Sequence, residues 1–383
     1  MRRTIYFDNA ATTFPKPECV HRAVIKYAEN YAGNPGRGSH KLSLLSSDAV
    51  FDVREKLANE FSALPENVAF TANVTESLNM AIKGIFEFGD NLLISNMEHN
   101  AVLRPVSAIC VEKSGTYDIF DIVHDEEETI KSLKSKLTRK TRAVITTHMS
   151  NLCSATAPLE KIGRFCRENG LYFIVDAAQS AGRLPIDMRA SNIDMLCVTG
   201  HKSLYGYMGA GALIFGENVE PAEIRTIIEG GSGVDSVPLT MPEIAPERFE
   251  AGTIPAHAIV SMGRGLDWVH YVGRDKIFAH EKRISEVIIS QLSEIDSVTL
   301  YGAEAGATIL FNISGVEPSD VSMRLGEKNI CVRSGLHCAP LAHRTLGTFP
   351  TGAVRIGIGA FNTETEANIL CGEIHAIARK QVP

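Results

Sequence analysis

Apolar residues come in short runs through the first two-thirds of this chain, each bounded by polar or turn-forming residues. Seven runs read as strands: 67–72 (NVAFTA), 91–96 (NLLISN), 117–123 (YDIFDIV), 142–148 (RAVITTH), 171–176 (LYFIVD), 193–200 (IDMLCVTG) and 211–215 (GALIF). Helical patterns lie between most of them. Over 43–62, Leu45, Ala49, Val53, Leu57 and Phe61 recur every four residues, on one helical face. Residues 157–170 place Pro158 in a first turn and Gly170 at a helix end. Near-continuous apolar strands alternating with helices predict an α/β fold, with a mainly parallel sheet covered on both faces.

The texture changes after about residue 216. Residues 229–256 are rich in Gly and Pro and lack periodicity, which predicts a long functional loop. Helices are expected near 257–271, 274–294, 318–328 and 363–380, with strands at VTLYG, ATILFNIS and AVRIGIG (353–359). These describe a smaller α+β unit. The expected division is a large domain over 15–256, and a small domain of 1–14 plus 257–383.

Composition narrows the choice. The chain has 383 residues, too many for one hydrophobic core to be the first expectation, and 44% apolar with 22% charged residues is ordinary for a globular protein. A net charge of -7 without any basic stripe argues against a nucleic-acid binder. Arg2 and Arg3 are followed by no apolar stretch of the signal-peptide kind, and no run approaches a membrane span. Eight scattered cysteines form no CxxC pair, so neither a zinc site nor a disulfide framework is expected, and a reducing cytoplasm is the natural setting.

In open α/β sheets ligands bind beyond the carboxyl ends of the strands. Reading past those ends gives Asn73, Val74 and Thr75 in TANVTES, His99 in NMEHN, His148 and Asn151 in THMSN, Asp176 and Gln179 in VDAAQ, and Thr199, His201 and Lys202 in TGHKS. Each alone has an ordinary structural explanation. Together, an Asp ending one buried strand and a Lys beyond the next form a pair used with pyridoxal phosphate. There the Lys makes a Schiff base and the Asp keeps the pyridine nitrogen protonated. Thr75 and the amides at a helix start suit the phosphate.

These motifs, in the order YFDNAATT, GRGSH, MEHNA, THMSN, VDAAQS, TGHKS, RFEAGT, RSGLHCAPL and AVRIGIGAFNT, resemble the class V, fold-type I pyridoxal phosphate enzymes nearly end to end. Within that class the chain is similar to cysteine desulfurases and selenocysteine lyase-like enzymes. The resemblance implies a homodimer with its active site between domains and at the subunit interface. Lys202 would bond the cofactor. Asp176 would pair with its ring nitrogen and Gln179 with its phenolic oxygen. His99 would stack on the ring and shuttle protons. Thr75, Thr199 and His201, with the amides of Asn73 and Val74, would hold the phosphate, and Thr253 would reach the partner subunit's cofactor.

On the substrate side, Asn151 and Arg355 would bind a carboxylate, and His40 and Arg333 would line the entrance. Cys338 would take sulfur from L-cysteine as a persulfide for an acceptor protein, its thiolate favoured by neighbouring His337 and Arg333. A lyase acting on L-selenocysteine is the alternative, with a class V aminotransferase behind it. A non-catalytic scaffold would not need the Lys202–Asp176 pair. Three departures from the family pattern stand out. Leu336 replaces the first His of the usual pair, Asn73 and Val74 replace Gly and Thr, and one extra residue follows Lys202 in TGHKSLYGYMG.

Overall fold

A computed structural model describes residues 4–36, 38–234, 236–302 and 305–379. In chain order the first half holds β1 (Ile5–Tyr6), α1 (Glu18–Asn30), α2 (Lys41–Phe61), β2 (Val68–Thr71), α3 (Val74–Ile85), β3 (Asn91–Ser95), α4 (Asn100–Glu112), β4 (Thr116–Phe120), α5 (Glu126–Lys136), β5 (Thr141–Thr147), α6 (Leu159–Asn169), β6 (Tyr172–Asp176), β7 (Met195–Thr199) and β8 (Gly211–Phe215). After a long loop come α7 (Ala256–Val272), α8 (Arg274–Ser293), β9 (Val298–Tyr301), β10 (Thr308–Ile313), α9 (Pro318–Gly326), β11 (Ile330–Cys331), β12 (Arg333–Gly335), α10 (Pro340–Thr345), β13 (Ala353–Gly357) and α11 (Glu364–Arg379). The expected final helix, 363–380, ends at Lys380, which lies outside the described residues.

The seven expected strands form one sheet in the order β2-β8-β7-β6-β5-β3-β4, with β8 alone running against its neighbours. Their apolar continuity has a simple cause: successive residues face opposite cores. Val144, Phe173, Val175, Leu196 and Val198 join one cluster. Ala143, Ile145, Ile174, Met195 and Cys197 join the cluster on the other face. A strand buried on both sides has no polar face to show.

β9, β10, β12 and β13 make a separate antiparallel sheet, and β1 pairs in parallel with β11. The N-terminal segment is thus tied to the second unit, whose own core includes Phe7, Ile288, Phe311, Ile356 and Ile374. α7 packs with the large sheet through Ile259, Met262 and Leu266. The change of core therefore falls near Val272, beyond the expected boundary at 256. No helix of the described residues is long and apolar enough to cross a membrane.

In α2 the fourfold pattern holds only in its second half. Val53, Leu57 and Phe61 are buried, whereas Leu45 stands out with Leu42, Leu44 and Phe51. A straight helix advances 100° per residue, so a repeat of four drifts off one face within a few turns.

Candidate active site

The carboxyl ends of β3, β5, β6 and β7 carry the candidate groups to one edge. Asp176 is the last residue of β6 and pairs in register with Cys197 of the neighbouring β7. Two residues beyond Cys197 the strand ends at Thr199, and His201 and Lys202 follow in a turn. Burial pushes the Lys202 ammonium down to about 8, with nearby Arg355, Arg183 and Arg333 adding to the effect and Asp176 opposing it. Burial likewise raises the Asp176 carboxyl, although its Oδ1 accepts from Ala178 N at 2.9 Å and Lys202 pulls the other way. A cation against Asp176 would relieve that cost.

Polar groups around this pair are buried and unspent. Among the described residues Thr199 Oγ1, His201 Nδ1, Gln179 Oε1 and Arg355 Nε have no hydrogen-bond partner. Native proteins seldom leave such atoms unmade, so their gathering here marks a place shaped for a polar ligand. Gln179 spends one N–H on Ala10 O at 2.9 Å. Lys16, which the sequence reading passed over, donates to the backbone oxygen of His201 at 2.7 Å and steadies that turn.

His99 caps α4, its Nδ1 accepting from Ala101 N at 3.0 Å. Burial, then the charge on Lys202, pushes its pKa down to about 4. The ring is therefore neutral, with its single proton on Nε2 and no lone pair free. Thr75 lies exposed in the first turn of α3, where backbone N–H groups lack helical partners. Asn73 spends its Oδ1 capping that helix at Glu76 N, and the Val74 side chain is buried in the core. Val74 can offer a ligand its backbone alone, and Asn73 its backbone and its Nδ2 amide.

Arg355 sits on β13, buried. It donates to Asp8 Oδ1 at 2.8 Å and to Asn151 O at 3.2 Å. Its Nε, buried, has no partner, and a guanidinium with a donor left over is suited to a carboxylate.

Cys338 follows β12 in a turn and is the one exposed cysteine; all eight are free. Both His337 and Cys338 adopt left-handed backbone, φ 48° and 56°. That conformation costs a non-glycine residue of order 1 kcal/mol. Two carbonyls anchor the turn: Cys338 O accepts from Asn100 N at 2.6 Å, and His337 O from Asn151 Nδ2 at 3.1 Å. Cys338, His99, Thr75 and Arg104 line one cavity of about 360 Å³.

The structure corrects one expectation here. His337 does not supply positive charge to the thiol. Its ring is turned inward and buried, and burial followed by the charge on Arg355 pushes its pKa down to about 3. Exposed Arg333, on β12, adds positive potential at His99 and Lys202.

Two expected residues stay outside this cluster in the single chain. His40 is exposed and caps α2 by accepting from Ser43 N at 3.3 Å. Thr253 lies exposed in the long loop, beside Thr71, Ala72 and Glu76. Other residues carry weight that sequence reasoning missed. Glu98 is fully buried; its Oε1 accepts from Ser95 Oγ and from Thr147 N, tying the ends of β3 and β5 together. Burial, reinforced by Asp176, raises it to about 8, so it is protonated at neutral pH. Arg183 and Glu281 form a buried pair at 2.8 Å, and Arg183 also holds Gln179 O and Ile358 O. An acid just before a strand-end histidine was the only signal for Glu98.

A Lys and an Asp at adjacent strand ends of this mixed sheet, with a second unit closing over them, define a fold-type I pyridoxal phosphate enzyme. Residues 5–370 match the aminotransferase class-V family, and the chain belongs to that family. It is 32% identical to a probable cysteine desulfurase of Methanothermobacter thermautotrophicus, over 99% of this chain and 96% of the relative. It is 30% identical to a cysteine desulfurase of Haloferax volcanii, over 97% and 89% of the two chains. The apo structure of a cysteine desulfurase from Thermococcus onnurineus superposes with a TM-score of 0.91 at 29% identity, covering 98% of this chain and 95% of that one.

Proposed function

We propose that this protein is a pyridoxal phosphate-dependent cysteine desulfurase, converting L-cysteine to L-alanine and holding the sulfur as a persulfide on Cys338. The observation that carries the reading is the cavity shared by His99, Thr75 and an exposed Cys338, beside the Lys202–Asp176 pair.

The unspent groups fit the cofactor. Lys202 would bond it. Asp176 would face its ring nitrogen, the free N–H of Gln179 its phenolic oxygen, and neutral His99 its ring face. Thr199, His201, Thr75 and the amides opening α3 suit its phosphate. When bound, pyridoxal phosphate supplies an electron sink for the pair left on the substrate Cα.

Arg355 Nε and Asn151 would orient the substrate carboxylate. Lys202, already easily deprotonated, takes the Cα proton and returns it. His99 cannot be that base at neutral pH, because its only lone pair already accepts Ala101 N–H. The Cys338 thiolate attacks the substrate Sγ. An S–S bond forms and the Cβ–Sγ bond breaks, its electron pair staying with carbon, which is then protonated. Alanine leaves, and Cys338 carries one extra sulfur for an acceptor thiol.

The exposed positions of His40 and Thr253, and the exposed apolar side chains of α2 at Leu42, Leu44, Leu45 and Phe51, support a homodimer in which each copy completes the other's site. The same reading takes 15–256 as the cofactor lobe and 1–14 with 257–383 as the closing lobe, with α7 at the join and packed on the large sheet. Eight free cysteines suit a reducing cytoplasm.

The test is alanine release from L-cysteine and, separately, from L-selenocysteine. Turnover of L-cysteine by the wild type supports the proposal. Alanine from L-selenocysteine alone would replace it with a selenocysteine lyase, and Lys202→Ala retaining turnover would overturn both.

A further inference from the structure

Behind Cys338 runs a chain of three buried side chains. His337 Nε2 lies 3.2 Å from Arg333 O, His337 Nδ1 lies 3.3 Å from His343 Nε2, and His343 Nδ1 lies 2.6 Å from Thr348 Oγ1. The two ring planes are nearly parallel, 15° apart. All three residues are at most 5% exposed.

The protons in this chain have one arrangement. A carbonyl oxygen can only accept, so His337 carries its proton on Nε2. Burial keeps both rings neutral, with His337 pushed down to about 3 and His343 to about 4. His337 Nδ1 must therefore accept, so His343 donates from Nε2 and accepts at Nδ1. The Thr348 hydroxyl closes the chain as donor. Thr348 Oγ1 also lies 3.3 Å from His343 O, but its one proton goes to the shorter contact. Neither imidazole has a lone pair left to take a proton from Cys338.

We infer that Thr348, His343 and His337 are positioning residues that lock the Cys338 turn, so that the thiol is held outward at the mouth of the cavity. The inference rests on the desulfurase reading for its catalytic meaning, and on the hydrogen bonds for its mechanics. With its ring fixed inward on Arg333 O, His337 keeps its left-handed backbone, and the next residue is turned toward solvent. The two carbonyls of this turn then reach Asn100, beside His99, and Asn151, beside Arg355. Position of the nucleophile is thereby linked to the substrate's carboxylate site without a charged group in the link.

Two variants of Thr348 separate this role from simple packing. Thr348→Val keeps the volume and removes the donor; Thr348→Ser keeps the donor and removes a methyl. On the cofactor-loaded protein, hydrogen exchange of the Ala339 and Asn100 amides reads the turn without any catalysis, since these amides bond Leu336 O and Cys338 O. Thr348→Val should speed both by about tenfold and lower kcat for L-cysteine by a similar factor, with KM and the cofactor's absorbance unchanged. Thr348→Ser should match the wild type. Wild-type exchange in Thr348→Val, or damage confined to Thr348→Ser, would overturn the inference. A wild type that released no alanine would sink the desulfurase reading instead, while the exchange comparison would still decide whether the chain locks the turn.

Discussion

The strand-end cluster around Lys202 and the turn around Cys338 solve opposite problems. At the strand ends, buried groups are left unpaired: Thr199 Oγ1, His201 Nδ1, Gln179 Oε1 and Arg355 Nε all lack partners, and burial drags Lys202 down while raising Asp176. In the turn nearly everything is spent. Its carbonyls, its histidines and Thr348 satisfy one another, and only the thiol is presented outward. The first region holds its polarity in reserve for a ligand. The second uses its polarity up to hold a geometry. Chemistry on a bound cofactor needs the former, and delivery of a nucleophile that must also meet an outside acceptor needs the latter.

The sharpest way to break this comparison is to remove one key group from each side. Lys202→Ala should abolish both turnover and the absorbance of the lysine-bonded cofactor. Cys338→Ala should keep the absorbance and lose about 10³-fold or more of alanine release from L-cysteine. If both variants lost the cofactor, the two regions would not be separate devices. Arg355→Lys comes next. A lysine cannot offer the fork that spans Asp8, Asn151 and a carboxylate, so KM for L-cysteine should rise about a hundredfold in steady-state assays.

A smaller effect follows from Lys202 itself. Bonding an aldehyde requires its neutral amine. With a pKa of about 8 instead of 10.5, roughly one amine in ten is neutral at pH 7 rather than a few in ten thousand. Reconstitution of apoprotein with pyridoxal phosphate, followed by absorbance, should accelerate up to about pH 8 and then level off. A rate still climbing near pH 10 would mean an unperturbed lysine.

The smallest expected effect concerns Glu98. Its folded value of about 8 lies above the ordinary 4.5, so between those pH values the folded state keeps a proton that the unfolded chain releases. Stability then falls as pH rises through that window. Glu98→Gln copies the protonated form and escapes the loss. Its Tm advantage over the wild type should grow by a few degrees from about pH 5 to about pH 8.

The sheet was legible because strands buried on both faces leave uninterrupted apolar runs, and GALIF at 211–215 needed no adjustment at all. The cofactor residues were legible for a related reason: strand ends are fixed in sequence, and Asp176 and Lys202 follow directly from them. β1, α1, β11, β12 and α10 went unread. β1 and β11 are two residues each and are defined by their pairing with one another across the chain, which no local pattern records. Glu98 went unread, since nothing in NMEHN announces a carboxyl enclosed by Ser95 and Thr147. His337 was misread as a cation for a parallel reason. Its protonation state depends on burial beside His343 and Arg333 O, and both contacts come from tertiary packing.

The most direct measurement of the central claim is the location of the transferred sulfur. Cofactor-loaded protein would be given L-cysteine without any acceptor thiol, its sulfhydryl groups trapped, and its peptides weighed by mass spectrometry. One added sulfur on the peptide bearing Cys338, matched by one alanine per chain, is the result expected. Alanine formed with Cys338 unmodified, or with the sulfur on any of the seven other cysteines, would contradict it.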